Sequence, residues 1–254
     1  MSSASPWLAP VHIPAAPRVR LYCLPYTGGG AAVYRSWRTH LPPGVELWVL
    51  RPPGADGRRH ERSFHRLIPL VDALEDALGP HLDLPYGIFG HSVGAITGYE
   101  VARRLEQSGS GPRHLWVSAH RAPHLRQSAP LVHLAPDDVI LSRLRRLGGG
   151  LETSAESGES VSELLANIRA ELAASETYRH VDPTPLRCAL SAFGGLDDQI
   201  VPAATIDEWK LASAGPFRAQ LFDGSHYYWV ADPAPLLREI GADLRDSFAE
   251  LSSV

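Results

Sequence analysis

A serine within a glycine-flanked pentapeptide is the clearest sign of chemistry in this 254-residue sequence. Residues 90–94 read Gly-His-Ser-Val-Gly, a pattern that places a serine on a tight turn between a strand and a helix. The apolar run 86–89 leads into it, and a helix-forming stretch follows from Ala95. Both positions need a small residue such as glycine, because a larger side chain would clash with the neighbouring strand and helix. We therefore predict that Ser92 is a nucleophile whose hydroxyl lies at the positive end of a helix.

A serine hydroxyl needs a neighbouring base before it attacks a carbonyl carbon, so a histidine must act with Ser92. Where this serine pattern occurs, the chain order is serine, acid, histidine, and each partner lies on a loop after a late strand. Of the twelve histidines, His226 is the only one after His180, and it follows the segment 220–224. We predict that His226 is the base. His91 lies inside the pentapeptide, where its side chain should point away from that of Ser92, and we expect it to pack.

The acid should lie at the end of the predicted strand Leu186–Phe193. The turn at residues 194–202 carries two adjacent aspartates, Asp197 and Asp198. One of them should accept the proton on His226 Nδ1 and hold the imidazole in the useful tautomer. Periodicity does not separate the two, so the pattern of residues leaves both open.

Two backbone amides should stabilise the negative charge that develops on the carbonyl oxygen during attack. One is the amide of Val93, directly after the nucleophile. The second is expected from residues 25–30, Pro-Tyr-Thr-Gly-Gly-Gly, because their glycines let the backbone approach the reacting carbonyl closely. This loop lacks the Gly-Lys-Ser/Thr ending of a P-loop and the spacing of a dinucleotide fingerprint, which argues against a phosphate-binding role.

Strand-like and helix-like segments alternate along the chain, which predicts a mostly parallel central sheet flanked by helices. The predicted strands are Val19–Tyr26, Val45–Arg51, Tyr86–His91, His114–Ala119, Leu186–Phe193 and Arg218–Phe222. The predicted helices are Ala31–Leu41, Phe64–Leu78, Ala95–Gln107, Ala204–Ala214 and Pro235–Phe248. Several strands carry consecutive apolar residues, as strands buried on both faces should. With a serine pattern at a strand end, this order predicts one α/β domain of the α/β-hydrolase fold over residues 1–254.

A long stretch without a predicted strand, from about His124 to Pro185, interrupts this alternation. Two helical patterns, Pro136–Leu147 and Val161–Tyr178, flank a polar segment, Glu152–Ser160. An insertion of this length between core strands usually has a function. We expect a helical lid over about residues 125–185 that covers the site and controls access. A helical decoration without that role is the alternative.

Composition and charge narrow the range of partners and cofactors. The net charge is −4 without a long block of like charge, so we expect neither nucleic acid nor an anionic membrane surface as a partner. We predict no secretory signal, because residues 1–20 carry four prolines and no apolar segment of h-region length. We predict no membrane span, because no apolar run approaches the roughly 18 residues that a span needs. His120 and His124 have the spacing of some zinc ligands, but Pro123 between them argues against a helix, so no metal is expected. We expect a cytoplasmic protein, a monomer, that needs no organic cofactor.

Several segments resemble type II thioesterases of polyketide and nonribosomal peptide synthesis, over nearly the whole chain from about Leu21 onward. The pentapeptide alone does not identify this family. Its combination with the Pro-Tyr-Thr-Gly-Gly loop and with Asp-Gly-Ser-His at residues 223–226 is much more specific. The other matching segments are residues 51–54, 117–119, 123–124, 134–138, 195–198 and Trp209.

The resemblance implies a stand-alone enzyme that hydrolyses acyl thioesters on the phosphopantetheine arm of acyl or peptidyl carrier protein domains. Such enzymes clear stalled or incorrect acyl chains. Carried over by position, Ser92 is the nucleophile, His226 the base and Asp198 the acid. The amides of Thr27 and Val93 form the oxyanion hole. Alternatives are a carboxylesterase or acyltransferase of the same fold, and a non-catalytic scaffold that docks onto a synthase.

Overall fold

The computed structural model describes residues 5–126, 130–146 and 160–251. Within these ranges the chain forms a seven-stranded sheet in the order β1-β3-β2-β4-β5-β6-β7. The strands are β1 (Leu8–His12), β2 (Val19–Leu24), β3 (Val45–Leu50), β4 (Tyr86–His91), β5 (His114–Ser118), β6 (Ala189–Gly195) and β7 (Phe217–Phe222). The edge strand β1 pairs antiparallel with β3, and every other neighbouring pair is parallel. The predicted mostly parallel sheet is therefore present.

Helices cover both faces of this sheet. The α-helices of the described residues are α1 (Leu67–Leu78), α2 (Val93–Gln107), α3 (Asp137–Arg146), α4 (Val161–Glu176) and α5 (Ala234–Ser247). Alternate residues of β2 point to opposite faces, so Tyr22 packs in the apolar cluster that includes α1 and α2, and Cys23 in the cluster that includes α5. All six residues of β2 are buried, which explains the apolar run 21–24 within it.

Two predicted helices are 3-10 helices and not α-helices, and one strand of the structure was not predicted. The segments expected as helices at Ala31–Leu41 and Ala204–Ala214 are 3-10 helices, the first at Ala31–Thr39 and the second in two pieces, Ala203–Thr205 and Asp207–Ala212. Apolar residues three apart suit either helix type, so the spacing alone does not distinguish them. The sequence analysis also missed β1, in which Leu8 alone is buried.

The insertion between β5 and β6 contains α3 and α4, close to the two helical patterns predicted there. No strand occurs in the described part of residues 125–185. Helix α4 begins with a capping box, because Ser160 Oγ accepts from the Glu163 amide and the Glu163 carboxylate accepts from the Ser160 amide. The two helices bury a small apolar cluster of their own, formed by Ile140, Leu144, Leu165 and Ile168. Of the predicted polar segment, residues 152–159 lie outside the described ranges.

None of the helices in the described ranges combines the length and apolar character that crossing a bilayer requires.

Candidate active site

Ser92 lies on the turn between β4 and α2 in a strained backbone conformation, with φ +54° and ψ −121°. A Cβ at Gly94 would lie 2.2 Å from the carbonyl oxygen of Leu24, and one at Gly90 would lie 2.1 Å from the carbonyl oxygen of Gly94. The turn therefore needs glycine at both positions for steric reasons. It holds Ser92 directly before the first turn of α2, where unpaired backbone amides make the field positive.

His226 lies between Ser92 and Asp198. Its Nε2 is 3.0 Å from Ser92 Oγ, and its Nδ1 is 2.7 Å from Asp198 Oδ2. The other carboxylate oxygen, Asp198 Oδ1, accepts from the amides of Ile200 and Val201 at 2.7 and 3.1 Å, which fixes the carboxylate. A carboxylate on Nδ1 keeps the proton there, so Nε2 is free to accept the proton of the serine hydroxyl.

Strand topology explains why three residues distant in sequence meet. β4, β6 and β7 are parallel, so their carboxyl ends lie at one edge of the sheet, and the loops after them carry Ser92, Asp198 and His226. The amide of Leu196 donates to Phe222 O at 2.8 Å, which ties the loop after β6 to the end of β7. Asp197 is exposed, whereas Asp198 is buried. The fold therefore brings Asp198, and not Asp197, to the histidine.

Thr27 and Val93 both line the cavity beside Ser92, as donors to an oxyanion must. Within the described residues, neither backbone amide donates a hydrogen bond to the protein. The Thr27 hydroxyl is also buried and has no hydrogen-bond partner among the described residues. Next to it, Gly28 has φ +74°, and its amide donates to Glu171 Oε2 of α4 at 3.0 Å. The loop thus leaves the Thr27 amide available and fixes the amide after it.

His91 packs behind the nucleophile, as expected. Trp229 Nε1 donates to His91 Nδ1 at 3.1 Å, and Ser118 Oγ is 2.8 Å from the same nitrogen. Burial lowers the pKa of His91 well below its ordinary value, and the nearby His226 lowers it further. A neutral His91 therefore adds no positive charge beside the imidazole of His226.

The two histidines with zinc-like spacing do not converge. His120 is buried, with Nδ1 2.7 Å from Arg121 O and Nε2 3.2 Å from Ser175 Oγ, and burial lowers its pKa to about 3. His124 is exposed, with Nε2 3.3 Å from Glu208. Across residues 5–126, 130–146 and 160–251, no group of three or more histidine, cysteine, aspartate or glutamate side chains is arranged to hold a metal ion.

A cavity of about 370 Å³ opens beside Ser92 and His226. Much of its wall is apolar and comes from the insertion and the loop after β6. These apolar side chains include Leu125, Val132, Ile140, Leu144, Leu172 and Ile200. Three arginines, Arg121, Arg126 and Arg143, also line it. The sequence analysis missed these arginines, although the position of Arg121 just after β5 is a signal that could have placed it at this edge of the sheet.

Comparisons with known proteins identify the family of this chain. The family model of the thioesterase domain matches residues 19–244. The chain belongs to the thioesterase family. The gramicidin S biosynthesis protein GrsT of Aneurinibacillus migulanus is 30% identical over 229 residues, which cover 90% of each chain.

Solved structures give the same result. The RedJ thioesterase from the prodiginine pathway of Streptomyces coelicolor is 36% identical with a TM-score of 0.82, covering 93% of this chain and 95% of that one. The type II thioesterase BorB from the borrelidin cluster is 30% identical with a TM-score of 0.83, covering 94% and 98%. The predicted α/β-hydrolase fold and the resemblance to type II thioesterases are confirmed. The thioesterase is a thioester hydrolase of the serine hydrolase type.

Proposed function

We propose that this thioesterase hydrolyses acyl thioesters on the phosphopantetheine arm of carrier protein domains in polyketide or nonribosomal peptide synthesis. The observation that carries the proposal is the hydrogen-bonded series Ser92, His226 and Asp198 beside a cavity that could hold an acyl chain. Similar proteins named for the prodiginine, borrelidin and gramicidin S pathways support the substrate class.

In the first half-reaction, Ser92 Oγ attacks the thioester carbonyl carbon while His226 Nε2 takes the hydroxyl proton. Asp198 stabilises the imidazolium through the proton on Nδ1. The oxyanion accepts hydrogen bonds from the amides of Thr27 and Val93. Collapse of the tetrahedral intermediate breaks the carbon–sulfur bond, and the imidazolium gives its proton to the departing thiolate. An acyl-serine ester remains.

In the second half-reaction, His226 Nε2 takes a proton from water, and the oxygen of that water attacks the ester carbonyl carbon. A second tetrahedral intermediate uses the same two amides. Its collapse returns the proton to Ser92 Oγ and releases the carboxylic acid. The proposed cycle needs neither a metal nor an organic cofactor.

The insertion over about residues 125–185 is the proposed lid of a single domain. Helices α3 and α4 supply cavity wall through Ile140, Leu144 and Leu172, so their packing sets the space for the acyl chain. In this proposal the enzyme works as a cytoplasmic monomer on acyl or peptidyl carrier protein domains.

A substrate comparison with one active-site variant tests the proposal. Ser92→Ala should keep the fold and lose about three or more orders of magnitude in turnover of an acyl carrier protein thioester. Ser36→Ala is the matched control, because this serine is exposed and lies away from the cavity. Hydrolysis at the wild-type rate by Ser92→Ala would contradict the proposal.

The alternatives give different results in the same assays. A carboxylesterase would prefer an aryl ester to the acyl carrier protein and acyl-pantetheine thioesters. An acyltransferase would pass the acyl group to an added alcohol or amine faster than to water. A non-catalytic scaffold would not react with a fluorophosphonate probe, whereas the proposed enzyme should be labelled at Ser92.

A further inference from the structure

Arg121 lies close to the nucleophile because of the strand order. β5 is the neighbour of β4, and the amide of Ser92 donates to Ser118 O at 2.8 Å. Adjacent strands are about 4.8 Å apart, so the chain that leaves β5 through Ala119 passes directly beside Ser92. Arg121 is two residues further on and lines the cavity.

Three other arginines with largely buried side chains pair with carboxylates. Burial opposes the charge of each, but hydrogen bonds and carboxylates outweigh burial and raise the pKa. The pairs are Arg20 with Glu46 and Asp83, Arg103 with Glu100 and Asp182, and Arg218 with Glu239 and Asp243. These arginines are consistent with the rule that a charge leaves water only with a partner.

Arg121 departs from this rule. Its Nε donates to Leu125 O at 3.2 Å, but within the described residues its two terminal nitrogens have no hydrogen-bond or ion-pair partner. Burial lowers the pKa of Arg121; the nearby Glu176 opposes this change and Arg179 adds to it. An arginine remains charged under these conditions, so within the described residues its terminal N–H groups are left without a protein acceptor.

Glu176 is the carboxylate whose charge acts on Arg121, and its oxygens already have other hydrogen-bond partners. Glu176 accepts from the amides of Val132 and His133 and contacts His133 Nδ1 at 2.6 Å, which ties the end of α4 to the segment before α3. Arg143, on α3, lines the same cavity and likewise has no carboxylate partner in the described ranges. The cavity wall therefore includes two arginines that, within the described ranges, have no ion pair with a carboxylate, together with Glu176 and several apolar side chains.

We propose that Arg121 and Arg143 form an anion subsite inside the acyl cavity, selecting acyl chains that carry a carboxylate at the end distant from the thioester. The proposal rests on the proposed function, since it names the substrate class of the same site. A guanidinium donates two parallel hydrogen bonds to a carboxylate, and these are stronger where water is excluded. The methylene part of such a chain would pack on side chains such as Leu125 and Leu172.

The phosphate of the phosphopantetheine arm is a second anion that arginines could bind. It lies at the opposite end of the arm from the thioester sulfur, however, whereas Arg121 lines the same cavity as Ser92. The position of Arg121 therefore favours a group on the acyl chain. Thioesters of N-acetylcysteamine separate the two sources, because they carry no phosphate.

The test compares adipoyl and hexanoyl N-acetylcysteamine thioesters, which have chains of equal length. The wild-type enzyme should favour the adipoyl chain by about ten- to a hundredfold in kcat/KM, the usual effect of a hydrogen bond to a charged group. Arg121→Gln should lower the adipoyl-to-hexanoyl ratio about tenfold or more, mainly through KM, because the contact is made in the ground state as well as in the transition state. Arg121→Lys should retain part of the preference, since it keeps the charge without the planar fork.

Arg187→Gln is the matched control, because Arg187 is exposed and lines a different pocket, and it should leave the ratio unchanged. Equal rates for both substrates, or a ratio unaffected by Arg121→Gln, would overturn the subsite. If Arg121→Gln lowered kcat/KM equally for both acyl chains, and only with phosphopantetheine thioesters, the arginines would bind the arm, and this result would also overturn the subsite.

Binding of adipic acid monoamide and hexanamide to the Ser92→Ala protein, measured by calorimetry, separates the subsite from the reaction, because only the first compound carries a carboxylate. The monoamide should bind more tightly, and adding Arg121→Gln should remove the difference. If the enzyme hydrolyses no thioester, the proposed function fails and this binding difference still decides the subsite.

Discussion

Asp198 Oδ2 lies 2.7 Å from His226 Nδ1, while the adjacent Asp197 points its side chain into solvent. Two amides, those of Ile200 and Val201, hold the other oxygen of Asp198, so the carboxylate cannot rotate away from the imidazole without losing them. The two aspartates are chemically identical, and their different surroundings alone separate their roles.

Asp198→Asn should lower kcat about a thousandfold or more, because an amide nitrogen can donate to Nδ1 and favours the tautomer that no longer accepts the serine proton. Asp197→Asn should stay within about twofold of the wild-type rate, since exposed substitutions away from a site have small effects. Turnover of a hexanoyl thioester measures both, with melting temperature as a check on folding. Similar losses for the two variants would show that the assignment of the acid is wrong.

Gly94→Ala should destabilise the protein by about 3 kcal/mol or more, because its Cβ would lie 2.2 Å from the Leu24 carbonyl oxygen and only backbone movement could relieve the clash. Gly79→Ala is the matched control. Its Cβ would meet nothing within 4 Å, and φ there is −43°, which alanine adopts readily. We expect that change to stabilise by about 0.5 kcal/mol through the unfolded state. Urea unfolding measures both, and equal effects would refute the steric argument.

Glu171→Ala should lower kcat/KM about three- to tenfold, because the loop that carries Thr27 loses the hydrogen bond that joins the Gly28 amide to α4. Glu171→Gln keeps an acceptor oxygen at the same reach and should retain most of the activity. Exchange of the Gly28 amide, followed by NMR, should be faster in the alanine variant than in the glutamine variant. Indistinguishable variants would mean that this contact does not position the loop.

The free energy of unfolding should fall as the pH drops below about 6.5, because three buried histidines stay neutral in the folded state. Burial lowers the pKa of His114 to about 4 and that of His120 to about 3, and it holds the pKa of His91 well below the ordinary value. Between pH 6.5 and about 4 the unfolded chain binds protons that the folded chain does not. Each histidine then removes about 1.4 kcal/mol of stability per pH unit.

Urea unfolding at about pH 7.5 and about pH 5 measures this loss. Between the two pH values, the free energy of unfolding should fall less in His114→Gln than in the wild type. The difference should equal the contribution of one histidine. His114 lies between Ser247 and Ser191, away from the catalytic groups, so the comparison reports on stability alone. Equal losses in both proteins would show that His114 is not kept neutral by folding.

The sequence by itself determined the serine turn, the order of serine, aspartate and histidine along the chain, and the mostly parallel sheet. These features depend on local patterns: glycines on both sides of Ser92, and consecutive apolar residues in strands buried on both faces. The predicted position of His226 also followed from the serine, acid, histidine order.

Only the tertiary structure decided the features that depend on contacts between distant segments. The local pattern left Asp197 and Asp198 open, because the choice depends on how the loop after β6 meets the loop after β7, where a Cβ at Gly195 would lie 2.3 Å from Ser225 O. That Arg121 has no ion pair with a carboxylate among the described residues is likewise invisible in the sequence, since it depends on which carboxylates the neighbouring elements bring near. Residues adjacent in sequence specify a strand or a turn, whereas the hydrogen-bond or ion-pair partner of a side chain depends on how distant segments pack together.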